Sequence, residues 1–241
     1  MSTPAPITLY SGATFTTPRV LMTLLEGSIP HNIISIDLAA GDQRNPAYKA
    51  KVSFSGQVPA LIDTSVTPTL KLTESTTIAF YLADKYAPHL SFPYGTNEYY
   101  QLLSVLDFIT DLHIMCGVTK FIFSKEMNPM YGKNETIDPH FGKRTLTRCA
   151  GLNSRLVEAR EAYGTDEPWM MGNKFTVADI SAYAVFRHLR EEAPYYNDGV
   201  AELKEIVAWI ERMEARECTK QAYEMFKGFA EGRFEREFKM E

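Results

Sequence analysis

The chain has 241 residues, 45% of them apolar and 23% charged, with 25 Lys and Arg against 30 Asp and Glu for a formal net charge of −5. That is the composition of an ordinary globular protein, long enough for one large domain or two small ones, and an acidic balance without a long basic run argues against nucleic acid as the main partner. No apolar stretch reaches the length of a membrane span, and Met1-Ser2-Thr3-Pro4-Ala5-Pro6 lacks the basic and apolar regions of a signal peptide, so a cytoplasmic protein with no membrane contact is expected.

Ile7 to Tyr10 reads as a short strand closed by the turn-rich Ser11-Gly12-Ala13-Thr14. Thr17-Pro18 reads as a cap followed by proline at the first helical position. Val20, Leu21, Leu24 and Leu25 form the buried face of that helix, and Gly27 ends it. Ile33, Ile34 and Ile36 mark a second strand, and the mostly polar stretch 42–52 an irregular helix. A third strand is expected over Val58 to Ile62 and a fourth over Thr69 to Leu72, joined by the Thr64 to Pro68 turn. A helix then runs from Thr73 to Tyr86. The order β-α-β-α-β-β-α implies one parallel, right-handed crossover and one hairpin.

Residues 87–96, with Pro88 and Pro93, read as a linker. Beyond it every long segment reads as helix: Asn97 to Ser124, His140 to Tyr163, Val177 to His188, Val200 to Met213 and Cys218 to Phe226. Thr176 stands three residues before Asp179, a capping-box spacing with Asp in place of Glu, and that pair is assigned to folding. Cys116, Cys149 and Cys218 form no Cys-x-x-Cys, zinc or disulfide pattern and read as buried, inert thiols. No histidine stands at metal-ligand spacing from another or from cysteine, and no metal site is expected.

The stretch with chemical content is Ser55-Gly56-Gln57-Val58-Pro59-Ala60-Leu61, followed by Thr73-Glu74-Ser75 at a helix start. Proline at the mouth of a strand cannot donate to the ladder, and Val58-Pro59 is a candidate for the cis form. Glu74 and Ser75 place a carboxylate, a hydroxyl and free helix N–H groups together, a site suited to an anionic or zwitterionic ligand.

Gln-Val-Pro-Ala-Leu followed by Glu-Ser resembles the glutathione-binding domain of the glutathione transferases, and the chain as a whole is similar to the phi-like and fungal Ure2-like members. The resemblance implies an α+β two-domain fold: a thioredoxin-like domain over residues 1–86, the linker 87–96, and an all-α domain over 97–241 that lines a hydrophobic substrate pocket. It implies glutathione as cofactor, a hydrophobic electrophile as second substrate, and a homodimer. By the same resemblance, Val58 is expected to meet the cysteinyl unit through its backbone, Glu74 the α-amino group and Ser75 the α-carboxylate. Gln43-Arg44-Asn45-Pro46 matches a phi-like segment whose basic residue meets the glycyl carboxylate, a role for Arg44, with Gln43 beside it and Gln57 reaching the same end.

The thiolate needs a hydroxyl donor near a helix start. Counted from Arg19, the serine of the phi-like members falls on Thr14 and the asparagine of the Ure2-like members on Thr16, so the role is left open between these two threonines. Phe15, Met115, Phe121, Met127 and Tyr131 are candidates for the apolar pocket, with a loop at Asn128-Pro129 as a lid. The outcome of thiolate attack is either a conjugate or, by reversible addition to a double bond, an isomer; a place in fungal secondary metabolism goes with the Ure2-like resemblance. The absence of the usual Ser, Tyr or Cys leaves a second reading, a fold that holds glutathione or a protein partner without chemistry. The mixed-charge tail after Phe226, with Glu231, Arg233, Glu235, Arg236, Glu237 and Lys239, either covers the pocket or is solvated.

Overall fold

The computed structural model describes residues 5–123, 137–192, 199–234 and 236, and of residues 116–123, 137–139, 191 and 192 the backbone only. Packing divides the chain into two units: the residues up to Ser91 together with those from Arg216 onward, and Phe92–Ala215.

In the first unit, β1 (Ile7–Ser11), β2 (His31–Ser35), β3 (Ala60–Asp63) and β4 (Leu70–Leu72) form one sheet in the order β2-β1-β3-β4. β1 runs parallel to β2, with Leu9 opposite Ile33, and antiparallel to β3, with Leu9 opposite Leu61; β3 and β4 are antiparallel. The helix α1 (Thr17–Glu26) is the crossover between β1 and β2, as the pattern predicts, and α2 (Pro46–Lys51) follows a single 3-10 turn at Asp42–Arg44. The strand β3 starts at Ala60, two residues later than expected, because Pro59 has no N–H for the ladder. Val58-Pro59 is cis, as expected, and Thr67-Pro68 is cis as well.

Period-two burial gives the sheet two faces. Ile7, Leu9 and Leu61 are fully buried with Val20, Leu21 and Leu24 of α1, and with Ile78, Ala79 and Leu82 of α3 (Ser75–Tyr86). Ile36, Tyr48, Val52 and Ala60 form a second cluster with Tyr10, Leu38, Val58 and Ile62. Gly27 does end α1, but its φ is −76°; the left-handed residue is Ser28 at 48°. What requires glycine there is space: a Cβ on Gly27 would lie 2.8 Å from the Ala87 Cβ.

The last helix, α8 (Glu217–Ala230), was expected in the all-α domain, yet it clusters with the sheet unit and packs on α1. An ion pair from Arg216 to Glu26 and a Thr219 hydroxyl donating to the Met22 sulfur at 3.7 Å bind the two helices.

The second unit contains α4 (Asn97–Phe123), α5 (Ile137–Tyr163), α6 (Val177–Glu192) and α7 (Lys204–Ala215). α5 starts three residues before His140, since Pro139 in a first turn costs no intrahelical hydrogen bond. The single helix expected from Val200 is a 3-10 turn, Val200–Glu202, followed by α7. Asn153 of α5 sets that start: its Oδ1 accepts from the Glu205 and Ile206 N–H groups at 3.1 and 3.2 Å. Arg160 of α5 binds both carboxylate oxygens of Glu205 at 2.9 Å.

The Thr176/Asp179 pair caps α6 as expected. The Asp179 carboxylate accepts from the Thr176 N–H at 2.9 Å, the Met170 N–H at 2.8 Å, the Trp209 indole at 3.0 Å and the Thr176 hydroxyl at 3.3 Å. Burial pushes this carboxyl up to about 6, against four donors that favour the ionised form.

Candidate functional site

Strand direction gathers the motif-bearing segments. β1 leaves the sheet at the same end as parallel β2, antiparallel β3 enters there, and β4 leaves there again. The Thr14–Thr17 turn after β1, the Gln43/Arg44 turn after β2, Gln57-Val58 before β3 and Glu74-Ser75 after β4 therefore share one end of the sheet. Segments 60 residues apart in sequence become neighbours by topology alone.

Each segment is held by its own contacts. The 53–57 loop is fixed by Ser53, whose hydroxyl accepts from the Gln57 N–H at 3.2 Å, and by Tyr48, whose hydroxyl donates to the Gln57 carbonyl at 3.0 Å. Gly56 has φ +66°, and a Cβ on it would lie 2.6 Å from Lys49 Cε and 2.9 Å from the Gln43 carbonyl oxygen. The 3-10 turn is braced by Asp42, which accepts from the Asp37 N–H at 3.0 Å, and by Gln43, which donates to the Leu38 carbonyl at 3.4 Å. Asn45 caps α2 through the Ala47 N–H at 2.8 Å. From the tail, Arg236 pairs with Asp37 at 2.9 Å, while Glu235, Glu237 and Lys239 lie outside the described residues.

Glu74 stands at the helix start with an exposed side chain and φ 66°, ψ 109°, a conformation that costs a non-glycine residue on the order of 1–3 kcal/mol. Ser75 is buried and caps nothing: its hydroxyl accepts from Arg19 Nη1 at 2.8 Å. The same nitrogen donates to the Thr76 hydroxyl at 2.7 Å. Arg19 is 1% exposed, and burial lowers its guanidinium to about 10, so it remains cationic at neutral pH behind the helix start. Nothing in the sequence around Arg19 assigns it a role at the site. A lone guanidinium on the apolar face of α1 was the signal that it reaches across to α3.

The structure places the three threonines differently from expectation. Thr17, expected as the cap of α1, is its first helical residue and fully buried; Thr16 holds the cap position, with no N–H bonded to its side chain. Packing drew Thr17 inward, where its hydroxyl donates to the Gly12 carbonyl at 2.7 Å. Thr14 Oγ1 lies 3.0 Å from both Thr16 Oγ1 and Thr17 Oγ1, and Ser11 Oγ lies 2.8 Å from Thr17 Oγ1. Thr14, Phe15 and Thr16 are half-buried, as are Gln43 and Val58, while Arg44 and Gln57 are exposed. Met115 is 6% exposed on α4. The side chain of Phe121, and Met127, Tyr131 and the Asn128-Pro129 loop, lie outside the described residues.

The donor set suits a ligand that carries both an amine and carboxylates. Glu74 offers a carboxylate to the amine, and Ser75 with the first N–H groups of α3 suits one carboxylate. Arg44 offers a guanidinium to the other, and four hydroxyls gather beside the start of α1.

A four-stranded thioredoxin-like unit with cis-Pro59 and a Glu-Ser helix start, together with an all-α unit, defines the glutathione transferase fold class. The family models "Glutathione S-transferase, N-terminal domain" and "Glutathione S-transferase, C-terminal domain" match residues 5–84 and 105–217. Among curated proteins, the chain is 28% identical to "Glutathione S-transferase-like protein tpcF" of Aspergillus fumigatus, over 88% of this chain and 92% of that one. It is 26% identical to "Glutathione S-transferase 2" of Schizosaccharomyces pombe, over 91% and 96%. Among solved structures, "Ure2p in Complex with S-hexylglutathione" superposes with a TM-score of 0.79 at 22% identity, covering 92% of this chain and 99% of that one. The Phanerochaete chrysosporium transferase URE2P6, in complex with oxidized glutathione, gives 0.78 at 24%, covering 95% and 100%. The chain belongs to the glutathione transferase family, and glutathione is its thiol cosubstrate. No helix among the described residues is long and apolar enough to cross a membrane.

Proposed function

We propose that this transferase holds glutathione at the shared end of its sheet and delivers the thiolate to a hydrophobic electrophile, releasing a conjugate. The observation that carries this reading is the convergence there of Glu74 in its strained backbone, Ser75 backed by Arg19, cis-Pro59 after Val58, and the hydroxyl cluster. Glutathione, when bound, supplies the sulfur nucleophile. Glu74 orients the ligand through its amino group, Ser75 and the α3 start hold one carboxylate, and Gln43, Arg44 and Gln57 meet the glycyl end. Thr16 or Thr14 stabilises the sulfur anion, and Phe15 is the nearest apolar side chain in sequence to that donor. Met115, Phe121, Met127 and Tyr131 are the candidates of the helical unit for the electrophile.

Isomerisation by reversible addition uses the same thiolate and differs only in losing the thiol again. The likeness to glutathione S-transferase-like proteins of two Aspergillus species supports a fungal setting, and a place in secondary metabolism belongs to the same reading. Buried, free thiols at Cys149 and Cys218 support a cytoplasmic location. A homodimer belongs to the same reading, and sedimentation tests it.

Calorimetric titration of glutathione into wild type and Glu74→Ala, beside turnover of a chloronitroaromatic electrophile, tests the whole. Losing a hydrogen bond to a charged group costs about 1.5–3 kcal/mol, so Glu74→Ala should bind roughly 10- to 150-fold more weakly. Wild type that binds no glutathione overturns the reading. Binding without turnover of any electrophile favours a non-catalytic module.

A further inference from the structure

Asp37 is the hub of the turn that carries Gln43 and Arg44. Its N–H donates to the Asp42 carboxylate at 3.0 Å, and its carbonyl accepts from the Gly41 and Asp42 N–H groups at 3.1 Å. Oδ1 accepts from the Ala39 and Ala40 N–H groups, both at 3.0 Å. Among the described residues, Oδ2 alone finds its partner outside the turn, in Arg236 Nη1 at 2.9 Å. The Ala40 N–H, the Arg236 guanidinium and the Ala39 N–H hold this carboxyl below the usual range, so it is ionised at neutral pH. Further along, the Arg44 N–H donates to the Gly41 carbonyl at 2.8 Å, so the hub and the ligand-facing end are one hydrogen-bonded piece.

The chain that delivers Arg236 is itself anchored. After α8, Gly232 takes φ +68°, the Arg233 N–H returns to the Gly228 carbonyl at 2.9 Å and the Gly232 N–H to the Phe229 carbonyl at 3.4 Å. Phe234 then folds back on the helix, its ring centroid 4.5 Å from that of Phe229. It occupies the space that a side chain at 228 would need: a Cβ on Gly228 would lie 2.9 Å from Phe234 Cε2. Arg233 adds ion pairs to Glu224 at 3.0 Å and Glu231 at 2.6 Å. Arg236 follows two positions after this anchor, exposed except for its contact with Asp37.

We propose that Arg236 is a positioning residue for the glycyl end of glutathione, pinning the 37–44 turn through Asp37 and neutralising that carboxylate on the turn from which Arg44 receives an anion. The inference rests on the glutathione reading above. Arg236 touches no ligand; it acts through the turn.

The test is calorimetric titration of glutathione and of γ-glutamylcysteine, which lacks the glycyl unit, with amide hydrogen exchange of Ala39 and Ala40 run on the ligand-free proteins. Arg236→Ala should bind glutathione roughly two- to fivefold more weakly, the range of an exposed ion pair, and γ-glutamylcysteine as wild type does. Arg236→Lys should keep most of the affinity, and Arg236→Glu, which turns attraction into repulsion, should lose about tenfold. Exchange at Ala39 and Ala40 should quicken in Arg236→Ala and Arg236→Glu. In an Arg44→Ala background Arg236→Ala should cost nothing more. Arg236→Glu that binds glutathione as wild type does, weakens both ligands alike or leaves the exchange unchanged overturns the proposal and leaves the glutathione reading standing. A further loss on top of Arg44→Ala overturns the positioning role, since Arg236 would then meet the ligand itself. Wild type that binds both ligands equally overturns the glycyl contact and the proposal with it, and wild type that binds neither overturns the glutathione reading as well.

Discussion

Asp63 ends β3 with a side chain fully withdrawn from solvent, yet it is ionised. Burial alone would raise its carboxyl, but hydroxyls of Tyr81 and Tyr86 and the N–H and hydroxyl of Ser65 hold it well below the usual carboxylate range. The Ser65 N–H donates at 2.7 Å and Lys85 Nζ at 3.0 Å, with both tyrosine hydroxyls on the same carboxylate oxygen as the lysine. This knot ties β3 to the far end of α3. Asp63→Asn keeps the shape, removes the charge and turns two acceptor positions into donors facing donors. Breaking a buried pair by removing one partner costs about 3–5 kcal/mol; Lys85 keeps 31% exposure and regains water, which argues for the low end, about 3 kcal/mol.

For a chain of this size that corresponds to a fall in melting temperature of about 6–12 °C. The sign with pH follows from linkage. The folded pKa lies below the unfolded value of about 3.9, so the unfolded state binds more protons between the two, and the contribution is complete above about pH 4 and lost as pH falls through the folded value. Urea unfolding of wild type and Asp63→Asn at pH 7 and pH 3 measures both quantities. A variant as stable as wild type at pH 7, or a difference of the same size at pH 3, refutes the reasoning.

Arg19→Met should leave the Ser75 and Thr76 hydroxyls without their donor and destabilise by about 2–3 kcal/mol in urea unfolding, while weakening glutathione binding in calorimetry. Gly56→Ala forces a Cβ toward Lys49 and the Gln43 carbonyl at φ +66°, and should cost more than about 1 kcal/mol in the same assay, with weaker glutathione binding as Gln57 and Gln43 shift. Asp179→Ala leaves the Met170 and Thr176 N–H groups and the Trp209 indole without their acceptor in a fully buried place; a loss above about 3 kcal/mol and a sharply lower refolding yield are expected. Burial pushes the thiols of Cys149 and Cys218 up to about 12 and about 11, so a thiolate-selective reagent at pH 8 should modify neither until denaturant is added, as peptide mapping would show.

Much of the fold is written locally. Period-two and period-3.6 burial mark the strands and helices, Pro18 and Pro59 mark where ladders and helices begin, and the Thr176/Asp179 spacing announces a cap that the structure contains. The motif proposed to face the ligand, Gln57-Val58-Pro59 with Glu74-Ser75, is equally local, since turn and helix-start chemistry needs particular residue types at particular offsets. The offsets failed where a distant group overrode them. Thr17 looks like a cap until the Gly12 carbonyl and the Ser11 hydroxyl draw it into the interior, leaving the cap position to Thr16. Val200 looks like a helix start until Asn153 of another helix moves that start to Lys204.

Tertiary structure alone decided three things. It brought four segments to one end of the sheet, because strand direction is a property of the whole ladder and no single strand carries it. It placed Arg19 behind Ser75, 56 positions away in sequence, where burial and two hydroxyls set its role. It also set the last helix, Glu217–Ala230, on α1 within the sheet unit, a pairing that no local pattern announces. Residue types and spacings determine which groups are available; only the packed chain determines which of them remain free to act.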